Sequence, residues 1–318
     1  MTRFLFIALL AAVMASSGPA RSQSGGQITF LVPYAAGGSA DIVARLIGMK
    51  LQEKLGRSVV IDNRPGGSEM IATEALARAA PDGHTIAILS NAIAINETLV
   101  PNRRFDLEKD ISPVVRVIEL PFALMVHPAV PARTVAEFVQ YAKSNPGKLN
   151  YGHLGPGSPH FFKMEWFKRT AGLDIVAVPY KGAAPAYAAL VAGEVQIIAS
   201  GLGAATPFLE AKQAIALAAF SPKRPASQPN LPTIAEAGYQ DFNLRSWMGI
   251  FVRAGTPVEI ERMLESEILA ALKTPDLIDR LTKLGLDISA MSKIEFPAFV
   301  RAEIKSWEDI VRMTGSQK

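Results

Sequence analysis

Cysteine is absent from the 318-residue sequence, and long apolar stretches are scarce. Without cysteine the chain cannot contain disulfides, thiolate metal ligands or a cysteine nucleophile. The longest uninterrupted apolar run covers residues 4–15, which is shorter than the roughly 20 residues that a membrane-spanning helix requires. The two absences exclude cysteine chemistry and a polytopic membrane protein.

The short apolar run at the start of the chain has the features of an export signal. Arg3 precedes it, small residues follow it, and Ala20-Arg21-Ser22 forms an A-x-S cleavage site. The pattern predicts a signal peptide over residues 1–22 and a periplasmic mature protein. Cleavage after Ala15 or Ala20 is an alternative. No cysteine is present at the junction to make the protein a lipoprotein.

A strong excess of charge is also missing. The chain has 33 basic and 29 acidic residues, and removal of residues 1–22 would leave 31 basic against 29 acidic. This balance is far too even to indicate a nucleic-acid partner. An apolar content of 49% with 19% charged residues is typical of folded globular protein. The length favours two domains.

Short apolar runs alternate with helical patterns through most of the chain. In the first part, strands are predicted at 28–32, 59–61 and 85–89, and helices at 39–55 and 69–79. This order predicts a largely parallel sheet covered on both faces. The pattern then restarts, with predicted strands at 123–126, 149–152, 175–178 and 195–199 and helices at 134–144, 160–171 and 185–192. Two similar α/β lobes are therefore expected.

The C-terminal part departs from this rhythm. A predicted strand at 246–252 is followed by a helix that opens at Pro257 and by an apolar stripe over 296–311. We expect these two amphipathic helices, with no strand after the first of them, to pack on the first lobe. Lobe one would then comprise residues 23–125 and 245–318 and lobe two residues 126–244, joined by a hinge.

Two glycine-rich loops follow predicted strands and open predicted helices. The first contains Tyr34, Gly37 and Gly38, with Ser39 as a candidate N-cap and Asp41 in the first turn of the helix. Glycine lets a backbone approach a ligand closely, and the unpaired amides at a helix start suit an anion. A simple strand-to-helix turn is the alternative explanation for this loop alone.

The second loop belongs to the other predicted lobe. It contains Gly155 and Gly157, then Ser158 as the predicted cap, Pro159 as the first helical residue, and His160. Two such helix starts, one in each lobe, could hold a carboxylate or phosphate between them. A few hydrogen bonds to a charged group, each worth about 1.5–3 kcal/mol, are enough for micromolar affinity.

Other strand-to-helix loops supply weaker candidates. Lys181 and Gly182 lie in a third loop, where Lys181 is either a counter-charge for the ligand or a solvated lysine. Ser90 and Asn91 follow a predicted strand, at the position where crevices form in α/β sheets. Arg64 is better explained by a structural ion pair than by ligand binding.

Enzyme signatures are largely missing. The chain has no P-loop, no G-x-G-x-x-G after a strand, no G-x-S-x-G elbow, and no metal-binding spacing among its four histidines. We therefore predict no cofactor and no metal. An exported hydrolase that uses Ser158 and His160 is the alternative function, although no orienting acid is evident near this pair.

Several motifs resemble those of a known family, the Bug-type extracytoplasmic solute receptors of tripartite tricarboxylate transporters. They run in family order from about residue 27 to the C-terminus. The segments are VPYAAGGSAD (32–41), NRPGG (63–67), PDGHT (81–85), SNPGKL (144–149), VPYKG (178–182), PTIAEAG (232–238) and AGTP (254–257).

The resemblance implies an α/β periplasmic binding protein fold, in which two lobes close around one small ligand. It implies a carboxylate ligand, delivery to a membrane transporter, and no catalysis. We further expect a monomer. By position, the resemblance assigns the ligand to Gly37, Gly38, Ser39 and Asp41 in lobe one and to Gly155, Gly157, Ser158 and His160 in lobe two. Ser200 stands where many family members have an aspartate, which argues against an amino-acid ligand.

Overall fold

A computed structural model describes residues 26–180, 182–240 and 246–314 of the chain. The predicted signal peptide at 1–22 and the candidate Lys181 lie outside these ranges. Within them, no helix combines the length and the apolar character needed to cross a membrane.

The strands form two sheets. In chain order they are β1 (Ile28–Val32), β2 (Val59–Asn63), β3 (Thr85–Ser90), β4 (Ile111–Glu119), β5 (Phe122–Val126), β6 (Asn150–His153), β7 (Val176–Pro179), β8 (Ile197–Gly201), β9 (Ile215–Phe220), β10 (Trp247–Arg253) and β11 (Asp287–Met291). The six-stranded sheet has the order β11-β4-β10-β3-β1-β2, and the five-stranded sheet has the order β7-β6-β8-β5-β9.

Helices cover these sheets. They are α1 (Ser39–Leu55), α2 (Met70–Ala77), α3 (Ala92–Leu99), α4 (Leu107–Asp110), α5 (Val135–Lys143), α6 (Pro159–Ala171), α7 (Ala183–Val191), α8 (Leu202–Glu210), α9 (Val258–Ala271), α10 (Pro275–Lys283) and α11 (Phe296–Thr314). A 3-10 turn at Gly67–Glu69 precedes α2. The predicted fold class, with two α/β units of the periplasmic binding protein type, is confirmed.

The sequence predicts a largely parallel sheet, but each sheet of the structure is mixed. In each sheet three adjacent strands are parallel, β2-β1-β3 and β6 with its neighbours β7 and β8. The remaining strands pair antiparallel. The reason is topological. In the first sheet, β10 and β11 come from the distant C-terminal part of the chain, and in the second sheet β5 runs antiparallel to both of its neighbours, β8 and β9.

The prediction for the C-terminal part was wrong in one respect. Helix α10 and strand β11 lie between the two amphipathic helices, and β11 pairs with β4 at the edge of the six-stranded sheet. Helix α11 does not rest on the first unit alone. Its Trp307 packs edge-on against Phe162 of α6, with ring centroids 5.8 Å apart. This last helix therefore bridges the two units.

The two units are also joined by the main chain. β4 ends at Glu119 and β5 begins at Phe122, so strand pairing groups Phe122–Val126 with the five-stranded sheet, whereas the predicted first lobe runs to residue 125. The predicted lobe boundaries as such remain predictions, and the second one falls within 241–245, outside the described residues.

A second contact between the units involves backbone alone. Gly203 near the start of α8 lies against Leu284 and Gly285, which precede β11. A Cβ atom on Gly203 would overlap the carbonyl oxygen of Leu284, and one on Gly285 would lie 2.8 Å from the Cα of Gly203. Gly285 also has a φ of +64°, a conformation that favours glycine.

Candidate functional site

The glycine loops leave the carboxyl ends of parallel strands, the position where open α/β sheets form crevices. The first loop follows β1, and Asn63 and Ser90 end the neighbouring strands β2 and β3. The second loop follows β6, with Gly182 and Gly201 after or at the ends of β7 and β8. In each sheet, three candidate segments thus lie together at the carboxyl ends of three parallel strands.

The first loop is held by Asp41. This buried carboxylate accepts hydrogen bonds from the amide of Gly37 (3.0 Å), Nε of Arg45 (2.9 Å) and Nδ2 of Asn63 (3.0 Å). Burial acts to raise the pKa of Asp41, but these bonds outweigh it and hold the pKa below its ordinary value. Asp41 therefore stabilises the loop, with both of its oxygens already bonded to protein donors.

Helix α1 begins differently from the prediction. Gly38 is the N-cap, Ser39 is the first helical residue, and no side chain caps the helix. Gly37, with a φ of +87°, needs to be glycine for its conformation, whereas a Cβ on Gly38 would meet only the carbonyl oxygen of Ala35 at 3.7 Å. The loop therefore exposes the first amides of α1 without a side-chain oxygen in front of them.

The second loop is held by its own cap. Ser158 is the N-cap of α6 and Pro159 its first residue, as predicted. The Ser158 hydroxyl donates to the carbonyl of Gly155 (2.7 Å) and accepts from the amide of Phe161 (3.3 Å). Its hydrogen is therefore not directed at His160, so the pair is not arranged as a nucleophile and its base.

The second loop approaches the six-stranded unit through Gly157. A Cβ on this residue would lie 3.0 Å from Oγ of Ser68 and 3.5 Å from Oδ1 of Asn96, both in the six-stranded unit. Only a glycine leaves these neighbours where they are. The structure thus brings the second loop against the segments that flank Ser90 and Asn91.

Sequence reasoning missed Glu69, an acid that is only 1% exposed. Its carboxylate accepts hydrogen bonds from the hydroxyl of Tyr34 (2.7 Å), the amide of Ser90 (2.9 Å) and the hydroxyl of Ser90. Burial raises the pKa of Glu69 above its ordinary value, and the bonds from Ser90 and Tyr34 oppose that shift. The two predicted residues Tyr34 and Ser90 thus share one acid.

Two buried polar atoms of predicted site residues lack a hydrogen-bond partner among the described residues. They are Nδ2 of Asn91, in the six-stranded unit, and Nδ1 of His160, in the five-stranded unit. Burial, followed by the positive charges of Lys163 and His153, lowers the pKa of His160 to about 3. The imidazole is therefore neutral near pH 7, and its ring packs edge-on against Phe122 at 4.9 Å. Buried polar groups are normally hydrogen-bonded, so these two atoms are suited to a bound ligand or water.

Two other candidates lie in the five-stranded unit. Gly182 is the N-cap of α7, which begins at Ala183, two residues before the predicted start at 185. Ser200 lies inside β8 and is buried, and the hydroxyl of Tyr187 donates to the carbonyl of the next residue, Gly201 (3.3 Å). Arg64 forms the ion pair that was favoured for it, with Nε 2.8 Å from Oδ2 of Asp62.

A cavity of about 1090 Å³ lies elsewhere. It is bounded by the start of α5, strand β9 and residues 228–237, and none of the loop residues lines it. One of its lining acids, Glu236, is already paired with Arg224 and with the amide of Thr233. Across the described ranges, no group of three His, Asp or Glu residues could hold a metal ion. The unpaired atoms make the glycine loops the better candidate site.

Known proteins match the chain over most of its length. A chain described as R. palustris Rpa4515 with adipate is 35% identical, superposes with a TM-score of 0.85, and aligns over 91% of this chain and 97% of its own. MatC (Rpa3494) from Rhodopseudomonas palustris with bound malate is 32% identical, with a TM-score of 0.81 over 90% and 99%. Protein BugT of Bordetella pertussis is 30% identical over 100% of this chain and 99% of its own.

A family model also matches. Residues 43–316 fit the TctC family, described as the tripartite tricarboxylate transporter family receptor. This match covers the second glycine loop and begins two residues after Asp41, just beyond the first loop, and it agrees with the resemblance found in the sequence. The chain belongs to the TctC family of tripartite tricarboxylate transporter receptors.

Proposed function

We propose that this chain is a periplasmic solute receptor that captures a small organic carboxylate between its two glycine loops and delivers it to the membrane components of a tripartite transporter. The receptor family is given by the family match. The ligand class, the export of this chain, its monomeric state and its lack of catalysis are parts of the proposal.

The observation that carries the proposal is the pair of unpartnered buried atoms, Nδ2 of Asn91 and Nδ1 of His160. They come from opposite units, as a ligand clamped between two lobes requires. Asn91 offers an N–H donor, and neutral His160 offers another if its proton is on Nδ1. Together with the amides at the start of α1, which no side chain caps, they form a set of donors suited to carboxylate oxygens.

An amino group on the ligand would find no free acid among these residues. The oxygens of Asp41 and Glu69 already accept bonds from protein donors, and Ser200 carries no negative charge. A buried ammonium without a partner is costly. The similar proteins with adipate and with bound malate support a dicarboxylate. We therefore propose an organic acid without an amino group.

Calorimetry with adipate and malate tests the proposal. We expect saturable binding of at least one of them at one site, and no comparable binding of aspartate or glutamate. Asn91→Ala and His160→Phe should each weaken binding by about tenfold, because each removes one donor to a charged ligand. Asn145→Ala, which removes an asparagine bonded to Tyr141 at the end of α5, is the control.

The alternative hydrolase makes the opposite prediction. Turnover of p-nitrophenyl esters that is lost in Ser158→Ala would contradict the receptor function, whereas stoichiometric binding without turnover supports it. Export is tested by intact-mass measurement of protein from the periplasm, which should lack about the first 15–26 residues. A mass that retains residues 4–15 would contradict the proposed signal peptide.

A further inference from the structure

Glu69 ties together two loops that leave neighbouring strands. Tyr34 belongs to the loop after β1, and Ser90 ends β3, which pairs with β1 in the six-stranded sheet. Both side chains donate to the same carboxylate, and the amide of Ser90 adds a third bond. One buried acid therefore fixes the relative positions of two segments at the carboxyl edge of the sheet.

The backbone that carries Glu69 is held in an unfavourable conformation. Ser68 and Glu69 have φ values of +50° and +79°, where non-glycine residues are uncommon. Asn96 Nδ2 donates to the carbonyl of Ser68 (2.6 Å), and the Thr73 hydroxyl donates to the carbonyl of Glu69 (2.9 Å). Strained backbone of this kind persists only where the surroundings hold it, and it concentrates at functional sites.

Glu69 is connected to the candidate site through two neighbours, Ser90 and Ser68. Ser90 directly precedes Asn91, whose Nδ2 is buried and unpartnered. Ser68 directly precedes Glu69 and lies against Gly157 of the second glycine loop. Glu69 itself is closed to a ligand, because both of its oxygens accept bonds from protein donors. Its influence on a ligand must therefore pass through its neighbours.

We propose that Glu69 is a positioning residue for ligand capture: by holding Tyr34 and Ser90 it aims the Asn91 amide into the cleft and sets Ser68 against Gly157. This inference rests on the proposed function. It makes affinity depend on an acid that the ligand does not touch.

The test uses Glu69→Gln, which keeps the shape of the side chain but replaces one acceptor oxygen with an N–H donor. We expect adipate affinity, measured by calorimetry on the whole mature protein, to fall about tenfold. Ser90→Ala should weaken binding in the wild type, yet add less than about twofold in the Glu69→Gln background, because the two residues act as one unit.

The matched control is Thr73→Val. It removes a buried hydroxyl that bonds the Glu69 carbonyl, so it perturbs the same backbone without changing the carboxylate. We expect it to lower the melting temperature and to bind adipate like the wild type. An equal loss of affinity in Thr73→Val and Glu69→Gln would overturn the proposal, because the effect would then be a general one on the segment.

NMR of the ligand-free protein tests the role of Glu69 independently of binding. The Ser90 amide proton, which bonds the carboxylate, should shift upfield in the NMR spectrum of ligand-free Glu69→Gln but not of Thr73→Val. If Glu69→Gln does not fold, Tyr34→Phe and Ser90→Ala remove its partners instead, and wild-type affinity in both overturns the proposal. If the wild type binds neither adipate nor malate, the proposed function fails; an unmoved Ser90 amide then rejects the role of Glu69 separately.

Discussion

The two glycine loops perform the same structural task with different chemistry. The first is held from outside, since Asp41 in α1 binds the Gly37 amide and is itself bound by Asn63 of β2. The second is held from within, because Ser158 caps α6 and bonds back to Gly155. What lies beneath them differs too: the acid Glu69 is buried under the first loop, and the base Lys163 is buried in α6 behind the second.

The difference shows that a common backbone shape does not fix how a loop is stabilised. A loop held by a buried charge depends on that charge staying ionised, whereas a loop held by a neutral hydroxyl does not. The first loop should therefore be more sensitive to acid and to single substitutions than the second. The predictions below test this contrast from the largest expected effect to the smallest.

Lys163 should give the largest effect. It is fully buried, its ammonium lies 5.0 Å from the centre of the Phe122 ring, and burial lowers its pKa to about 7 although Glu303 opposes the shift. Between about pH 7 and the ordinary lysine pKa, the unfolded chain binds more protons than the folded chain, so stability rises with pH by up to about 1.4 kcal/mol per unit.

Lys163→Met should remove this slope. The free energy of unfolding, measured by urea denaturation from pH 7 to 9.5, should gain less with pH in the variant than in the wild type. Lys143→Met, at the exposed end of α5, is the control and should keep the wild-type slope. Parallel curves for wild type and Lys163→Met would show that the charge of Lys163 is not strained in the folded state.

Asp41→Ala should destabilise the protein by about 2–4 kcal/mol, because it removes the acceptor of the Gly37 amide and one of the two acceptors of the Asn63 side chain, which also donates to the carbonyl of Tyr34. The pKa of Asp41 is lowered on folding, so its contribution is present at neutral pH and is lost as pH falls below about 4. Arg45→Ala removes only a half-exposed partner and should cost less than about 1 kcal/mol. Thermal unfolding at pH 7 and pH 3 measures both effects.

Adjacent glycines give a matched comparison in the first loop, and Gly155 provides the corresponding test in the second. Gly37→Ala and Gly155→Ala should each cost about 1–2 kcal/mol, because both residues have positive φ values, +87° and +105°. Gly38→Ala should be nearly neutral, since its backbone is extended and a Cβ would make only an ordinary contact. Equal melting temperatures for Gly37→Ala and Gly38→Ala would contradict the described shape of the first loop.

Of the two side chains that hold the loops, Ser158 should have the smaller effect: Ser158→Ala should cost about 1 kcal/mol of stability, which is typical for loss of an N-cap. Unlike the effect of Asp41→Ala, it should not change between pH 3 and pH 7, because the cap is neutral. Ser158→Thr retains a hydroxyl and should recover most of the loss. A strong pH dependence in Ser158→Ala would remove the contrast between the two loops.

Local signals predicted the loops well. Gly155 and the Ser158–Pro159 start of α6 lie where the sequence placed them, since turn glycines and capping residues act over a few neighbouring positions. The cap of α1 was missed by one residue, because Gly38 can take the extended cap conformation as readily as Ser39 can. The predicted ligand contacts of these residues remain predictions.

Non-local features could not be predicted in the same way. Strand β4 contains Pro113 and the buried Arg116, which interrupt its apolar pattern, and its pairing with β11 joins residues far apart in the chain. Glu69 was expected to start a helix; its burial depends on Tyr34 and Ser90, each more than 20 residues away. Such positions become visible only when the sheets are assembled.

The contact between Gly203 and the Leu284–Gly285 turn has a mechanical consequence. The atoms that meet there belong to the main chain. The shape of the contact is therefore set by backbone geometry, and side-chain rotamers elsewhere do not change it. Any residue larger than glycine at position 203 would clash with the Leu284 carbonyl and push the two units apart. The close approach of the two units at this point therefore depends on the absence of a side chain at residue 203.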